Sequence, residues 1–253
     1  MNDNLSLHPG GLDLTIDAFN HAMIGTAVYR NNKNVLLAAS RNKKSKLKVL
    51  DVGCSIGTSL SALKKEFSID AFGIDNSSEA IKKAKELHPD ISFETCDASY
   101  LPFNDNSFDG IISECMLTLL KDPKEALCEW KRVLKQGGFL IISGLCEREG
   151  DDIQYAFRPE YPYDVNTSVL CKNGLLLKDA LRSFAQFNGL SPIFEKDCRE
   201  ELIRYMAQSI MDFGSLEERI KKEQSETGSS VLDCSYDYDS KKVSYMLMIL
   251  KKA

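Results

Sequence analysis

The chain has 253 residues, enough for one large α/β domain or two small ones with a sizeable core. Hydrophobic residues make up 43% and charged residues 27%, an ordinary globular balance, and a net charge of −5 argues against a nucleic-acid-binding surface. Eight cysteines without C-x-x-C spacing and only three histidines give poor support to a zinc site or a disulfide framework, so no metal is expected.

The start, Met1-Asn2-Asp3-Asn4, is polar, with no export signal, and no apolar run reaches membrane-spanning length. The expectation is a cytoplasmic protein with reduced thiols and neither a membrane nor a nucleic-acid partner. Residues 1–11 end in His8-Pro9-Gly10-Gly11. Leu12, Ile16, Phe19 and Met23 then recur at the spacing of one helix face. Gly10 and Gly11 read equally as the start of that helix and as the hinge of a flap over a ligand. A second helix is expected around Val35 to Ala39. The basic run Arg41, Lys43, Lys44, Lys46 and Lys48 reads as a solvated connection.

The chain is organised around Val49-Leu50-Asp51-Val52-Gly53-Cys54-Ser55-Ile56-Gly57-Thr58-Ser59. An apolar run reads as a buried strand, and Leu60, Leu63 and Phe67 follow at helical spacing. Strand, glycine loop and helix bring backbone N–H groups close to an anionic or nucleotide ligand. The dinucleotide pattern G-x-G-x-x-G fails at its third and sixth positions here.

The next element, Ala71-Phe72-Gly73-Ile74-Asp75, is a second buried strand ending in an acid, placed to accept hydrogen bonds from ribose hydroxyls. Asn76-Ser77-Ser78-Glu79 has capping-box spacing, and Ala80, Ile81, Ala84 and Leu87 form the apolar face of the helix that follows. Ile91 to Cys96 is a third strand, followed by Asp97-Ala98; Ser107 to Ser113 is a fourth, followed by Glu114-Cys115. Asp122-Pro123-Lys124-Glu125 opens a helix that closes at Gly137-Gly138, and Phe139 to Ser143 is a fifth strand. Alternating strand and helix over 48–143 implies a parallel sheet covered on both faces.

The words DVGCSIGTS, GID, CDA, LPFNDNSFDGIIS and RVLKQGGFLIIS, in that order from Val49 to Ser143, resemble the methyltransferase type 11 group of class I S-adenosylmethionine (SAM) methyltransferases. The glycine loop resembles that family's first motif, acidic-x-Gly-x-Gly-x-Gly, with Ser55 in the middle glycine's place. If that position needs φ > 0, serine costs about 1–2 kcal/mol. The resemblance implies a Rossmann-like, doubly wound, seven-stranded sheet, mostly parallel, with an antiparallel C-terminal edge hairpin. It implies SAM as cofactor, with S-adenosylhomocysteine as product. Asp51, Gly53, Cys54, Ser55 and Gly57 would line the methionine end, Asp75 and Asn76 the ribose, and Asp97 and Ala98 the adenine. Ser113 and Glu114, with Gly10 and Gly11 of the flap, would complete the site.

Residues 144–175 read as a long loop of lid type, Leu175 to Phe187 as a helix, and Ile193 to Lys196 as a strand. Leu202, Ile203, Met206 and Ile210 mark another helix, residues 215–230 a charged excursion, and Val243 to Leu250 the last strand. The whole chain 1–253 reads as one methyltransferase domain with an N-terminal helical flap (1–46) and insertions at 144–175 and 199–240. The expected activity is methyl transfer to a small molecule. Glu114, Cys115 and His21 are the candidates for a catalytic role. Two alternatives stand beside it: a thiophilic acceptor such as arsenite, for which Cys115, Cys146 and Cys171 would have to converge, and a protein that binds SAM without catalysis. The oligomeric state is left open.

Overall fold

The computed structural model describes residues 8–29, 46–148, 170–172, 174–228 and 243–253. In chain order the elements are α1 (Gly11–Tyr29), β1 (Lys48–Val52), α2 (Thr58–Phe67), β2 (Asp70–Asp75), α3 (Ser78–Leu87), β3 (Ser92–Thr95) and β4 (Phe108–Glu114). A single 3-10 turn (Leu117–Leu119) leads to α4 (Pro123–Val133), β5 (Leu134–Glu147), β6 (Cys171–Lys172) and β7 (Leu175–Leu176). Then come α5 (Lys178–Phe187), β8 (Leu190–Asp197), α6 (Arg199–Phe213), α7 (Leu216–Thr227) and β9 (Val243–Lys252). The expected helix around Val35 to Ala39 and most of the expected lid fall outside the described residues.

Seven strands form the body of the sheet in the order β3-β2-β1-β4-β5-β9-β8, and β9 alone runs against the others. The two-residue strands β6 and β7 hang on the far end of β5 through the Cys146–Leu176 pairing. Side chains alternate between two cores, as a pleated strand requires. Leu50, Ile111, Leu140 and Ile142 pack beneath α4 and α5 with Trp130 and Leu181. Val49, Ile112, Phe139 and Ile141 pack beneath α1, α2, α3 and α6 with Phe19, Leu60, Ile81 and Leu202. The doubly wound α/β architecture is what the alternation of elements led one to expect, and the antiparallel C-terminal hairpin is what the family resemblance implied. No helix among the described residues is long and apolar enough to cross a membrane.

Several boundaries differ from the sequence reading. The cap of α3 is Ser77, whose hydroxyl accepts from the Ala80 amide, and Glu79 pairs with Lys83 instead of closing a box on Asn76. Helix α4 has the expected Asp122 cap and stops at Val133, with Gly137 and Gly138 already inside β5. Leu175 and Leu176 form a strand, and α5 begins at Lys178. The charged stretch after Gly214 is a helix, α7, capped by Ser215. It has no apolar face to betray it. Its buried Arg219 instead pairs with Glu223 at 2.8 Å and stacks 4.0 Å from the ring centroid of Tyr205 on α6.

Candidate functional site

Three parallel strands bring acids to one rim of the sheet: Asp51 near the end of β1, Asp75 at the end of β2 and Glu114 at the end of β4. The loop Gly53–Gly57 crosses that rim. Gly53 (φ 79°), Ser55 (φ 49°) and Gly57 (φ 81°) all occupy the left-handed region. A Cβ on Gly53 would lie 2.7 Å from the Met116 sulfur, and one on Gly57 would lie 2.5 Å from the Phe93 ring. Space and backbone conformation both demand glycine there. Ser55 takes the same strained conformation without glycine's freedom, so the cost foreseen for it applies.

The loop is held by its amides. Gly53 and Cys54 donate to the Ile74 carbonyl at 2.8 and 2.9 Å. Ser55 N donates to Asp75 Oδ2 and Ser77 N to Asp75 Oδ1, both at 2.9 Å. Asp75 thus joins the loop to the cap of α3. Asp51 is 4% exposed. Burial first, and then the charges of Glu114 and Asp75, push its carboxyl well above the usual range, against the opposing pull of His8. The Cys54 thiol is pushed far upward by burial and by Asp51 and Asp75, which makes it a filler and not a nucleophile.

Glu114 is the most heavily hydrogen-bonded of the three acids. Oε1 accepts from Thr15 Oγ1 at 2.8 Å, and Oε2 accepts from Ser59 Oγ at 2.9 Å with His8 Nε2 at 3.3 Å. Burial raises its pKa, yet His8 and these hydrogen bonds outweigh burial and hold it below the ordinary glutamate value. His8 moves upward in turn, because the Glu114 charge and hydrogen bond overcome its own desolvation.

The other predicted residues are distributed as follows. Asp97 is exposed and caps its own turn through Ser99 N at 2.8 Å. The buried Ala98 carbonyl accepts from Trp130 Nε1 at 2.8 Å, and Arg132 holds the carbonyls of Leu101 and Phe103. Asn76 is exposed beside Asp75. Ser113 is fully buried, and its hydroxyl has no hydrogen-bond partner among the described residues. Gly10 (φ 83°) and Gly11 (φ 55°) form the left-handed turn between His8 and α1, so that turn adjoins the rim. Cys115 (φ 55°) lies 3.2 Å from the Tyr245 hydroxyl, itself 2.8 Å from Ser143 Oγ. His21 sits apart from this network, its Nδ1 on the Asp17 carbonyl and its ring against Phe194 of β8.

The thiols do not share a cavity wall. Cys115 packs into the core beneath α1, whereas Cys146 and Cys171 belong to the core on the opposite face of the sheet. No group of three His, Cys, Asp or Glu side chains suited to a metal ion occurs among the described residues.

Sequence reasoning found the acids and the loop but missed His8, Thr15 and Ser59 as partners of Glu114. Thr15 lies 99 residues from Glu114, and only the adjacent glycine pair hinted that this segment mattered. The arrangement offers glycine-lined backbone, three carboxylates against one imidazole, and an orphaned buried hydroxyl. A cationic ligand carrying hydroxyls fits this donor and acceptor set.

Comparison with known proteins agrees. Residues 50–142 match the family model described as "Methyltransferase domain". An uncharacterized protein of Haemophilus influenzae is 39% identical over 153 residues, covering 56% of this chain and 61% of that one. A demethylmenaquinone methyltransferase of Renibacterium salmoninarum is 41% identical over 96 residues, 38% of this chain and 40% of that one. The chain therefore spans less than two thirds of the length of either relative. The solved structure of geranyl diphosphate methyltransferase in complex with SAM superposes with a TM-score of 0.63 at 14% identity, covering 96% of this chain and 86% of that one, a likeness of fold. Residues 50–142 thus match a methyltransferase domain, and the chain shares the fold of a solved SAM-bound methyltransferase.

Proposed function

We propose that the protein transfers a methyl group from SAM to a small-molecule acceptor by in-line displacement. The observation that carries this reading is the left-handed loop Gly53–Gly57, hydrogen-bonded to Asp75 beside the buried Asp51. Each Asp75 oxygen accepts one backbone N–H and keeps a second lone pair, which suits two ribose hydroxyls. Asp51 faces the cationic methionine end, where a positive charge would draw it into its ionised form. Gly53, Cys54, Ser55 and Gly57 give backbone contact, Asn76 borders the ribose, and Asp97 with the Ala98 amide receives the adenine. Gly10 and Gly11 turn the flap, and the Ser113 hydroxyl remains to be satisfied at the end of β4.

Bound SAM supplies a methyl already activated on a sulfonium. The protein's part is to align the acceptor and exclude water. No proton-transfer role is assigned to Glu114, whose oxygens are engaged by Thr15, Ser59 and His8, nor to His21, which faces Phe194. Cys115 borders the same rim, 3.2 Å from the Tyr245 hydroxyl, and is assigned no role in the transfer. The names of the relatives, demethylmenaquinone and geranyl diphosphate methyltransferases, favour an organic acceptor. The placement of Cys115 across the sheet from Cys146 and Cys171 takes support from a thiophilic one.

Calorimetry with SAM, S-adenosylhomocysteine and NAD tests the cofactor; binding of NAD with indifference to SAM overturns the reading. Transfer of labelled methyl from SAM to a low-molecular-weight fraction of cell extract tests the activity. Tight SAM binding with no transfer to any fraction would assign the protein a binding role instead.

A further inference from the structure

His8 is a buried titratable group beside the rim that the proposed chemistry does not use. Its Nδ1 faces the Pro9 carbonyl oxygen at 3.1 Å, and its Nε2 faces Glu114 Oε2 and Thr15 Oγ1, both at 3.3 Å. The Thr15 proton goes to Glu114 Oε1 at 2.8 Å, which leaves the Thr15 oxygen as an acceptor toward the imidazole. Both ring nitrogens therefore face acceptors, and the doubly protonated ring satisfies them together.

The partners belong to different elements. Thr15 stands in α1, Glu114 at the tip of β4, and Ser59 in the first turn of α2, immediately behind the glycine loop. One carboxylate thus ties the N-terminal helix to the helix that carries the proposed cofactor loop. Gly10 and Gly11, both left-handed, fold His8 back over the start of α1, where the Gly11 amide donates to the His8 carbonyl at 3.1 Å. Among the described residues, Glu114 of β4, Asp51 of β1 and Glu223 of α7 face His8 electrostatically, and all three are acidic.

We propose that His8 is a positioning residue: acting through Glu114, it latches the N-terminal helix onto the glycine loop, and cofactor is held tightly only while the latch is closed. The cofactor half rests on the SAM reading above. His8 titrates above its ordinary value, so the latch is complete below about pH 6.5 and opens as pH rises through the higher value of the folded protein. Glu114, held below its own ordinary value, stays ionised throughout that interval.

The test compares wild type with His8→Gln, which keeps a neutral donor, at about pH 5.5 and about pH 8.5. Hydrogen exchange of the α1 amides from Thr15 to Phe19, corrected for intrinsic rates, reads the latch without any ligand. Wild type should lose about tenfold protection between the two values, as expected for one charge-assisted hydrogen bond. His8→Gln should show the lower protection at both. Identical, pH-independent exchange in the two proteins overturns the latch. Calorimetry with SAM then reads the coupling: His8→Gln should bind about tenfold more weakly than wild type at the lower pH and equally at the higher. Equal affinities at both values overturn the coupling. Should wild type bind no SAM at all, the cofactor reading and the coupling both fail, and the exchange result alone upholds or overturns the latch.

Discussion

Ser55 carries a cost that its two glycine neighbours avoid. Its φ of 49° is one that an L side chain reaches only against its Cβ. Ser55→Gly should raise stability by about 1 kcal/mol, less whatever flexibility glycine adds to the unfolded chain. Thermal unfolding checks this, and a lower midpoint would show that the serine side chain earns its place by its own contacts. Asp75 has the opposite character, holding the loop in the fold and, on the proposed reading, the ribose as well. Asp75→Ala should cost about 1.5–3 kcal/mol of SAM binding in calorimetry, the range for hydrogen bonds to a charge. It should also destabilise the ligand-free protein in denaturant unfolding, because the amides of Ser55 and Ser77 lose their acceptor. A variant of unchanged stability would mean that the loop holds itself. The acid was legible in the sequence because it ends an apolar strand. Its structural duty was not, since its amide partners are fixed by the turn of the loop. His8 and Thr15 escaped notice because hydrogen bonds between distant segments leave no periodic trace.

Helix α4 works as a bracket for the loop after β3. Trp130 reaches the Ala98 carbonyl at 2.8 Å, and Arg132 reaches Leu101, Phe103, Asp105 and Glu129. Trp130→Phe keeps most of the buried ring surface but leaves the Ala98 carbonyl without its donor. The expected loss is about 1–3 kcal/mol in urea unfolding, together with weaker SAM binding if Asp97 and Ala98 receive the adenine. Unfolding at the wild-type midpoint would show that the carbonyl finds another donor. This bracket could be read only in part from the sequence. The capped start of α4 and its apolar face were visible, but the indole's hydrogen bond depends on the loop's path. The strands and helices from 48 to 143 were legible for a simple reason: buried strands are continuous apolar runs and covering helices have one apolar side. Helix α7 was not, since its hold on the protein is an arginine stacked between Tyr205 and Phe213 and not a hydrophobic stripe.

Across the whole molecule, the acidic rim weighs on stability, and on the proposed reading it favours SAM binding, so the two pull in opposite directions. Asp51 titrates above its ordinary value, so the folded state binds its proton more tightly than the unfolded chain does. Its ionisation therefore erodes ligand-free stability as pH climbs from about 3.8 through its folded value, after which the loss is complete. Asp51→Asn removes that erosion. At neutral pH it should unfold later than wild type, by on the order of 1–2 kcal/mol, while binding SAM more weakly. Thermal scans with and without SAM check both halves, and a less stable Asp51→Asn protein would show that the ionised carboxylate is compensated within the fold. The overall architecture was largely legible, although the strand that runs against its neighbours was implied only by the family resemblance. That strand has a consequence for how the molecule comes into being. Among the described residues β8 pairs with β9 alone, and β9 also covers the apolar edge of β5. At a synthesis rate of about 5–20 residues per second, the separation between β8 and β9 means several seconds on the ribosome with that edge bare. An uncovered strand edge invites pairing with other chains, so the interval before β9 emerges is when a nascent copy most needs a chaperone.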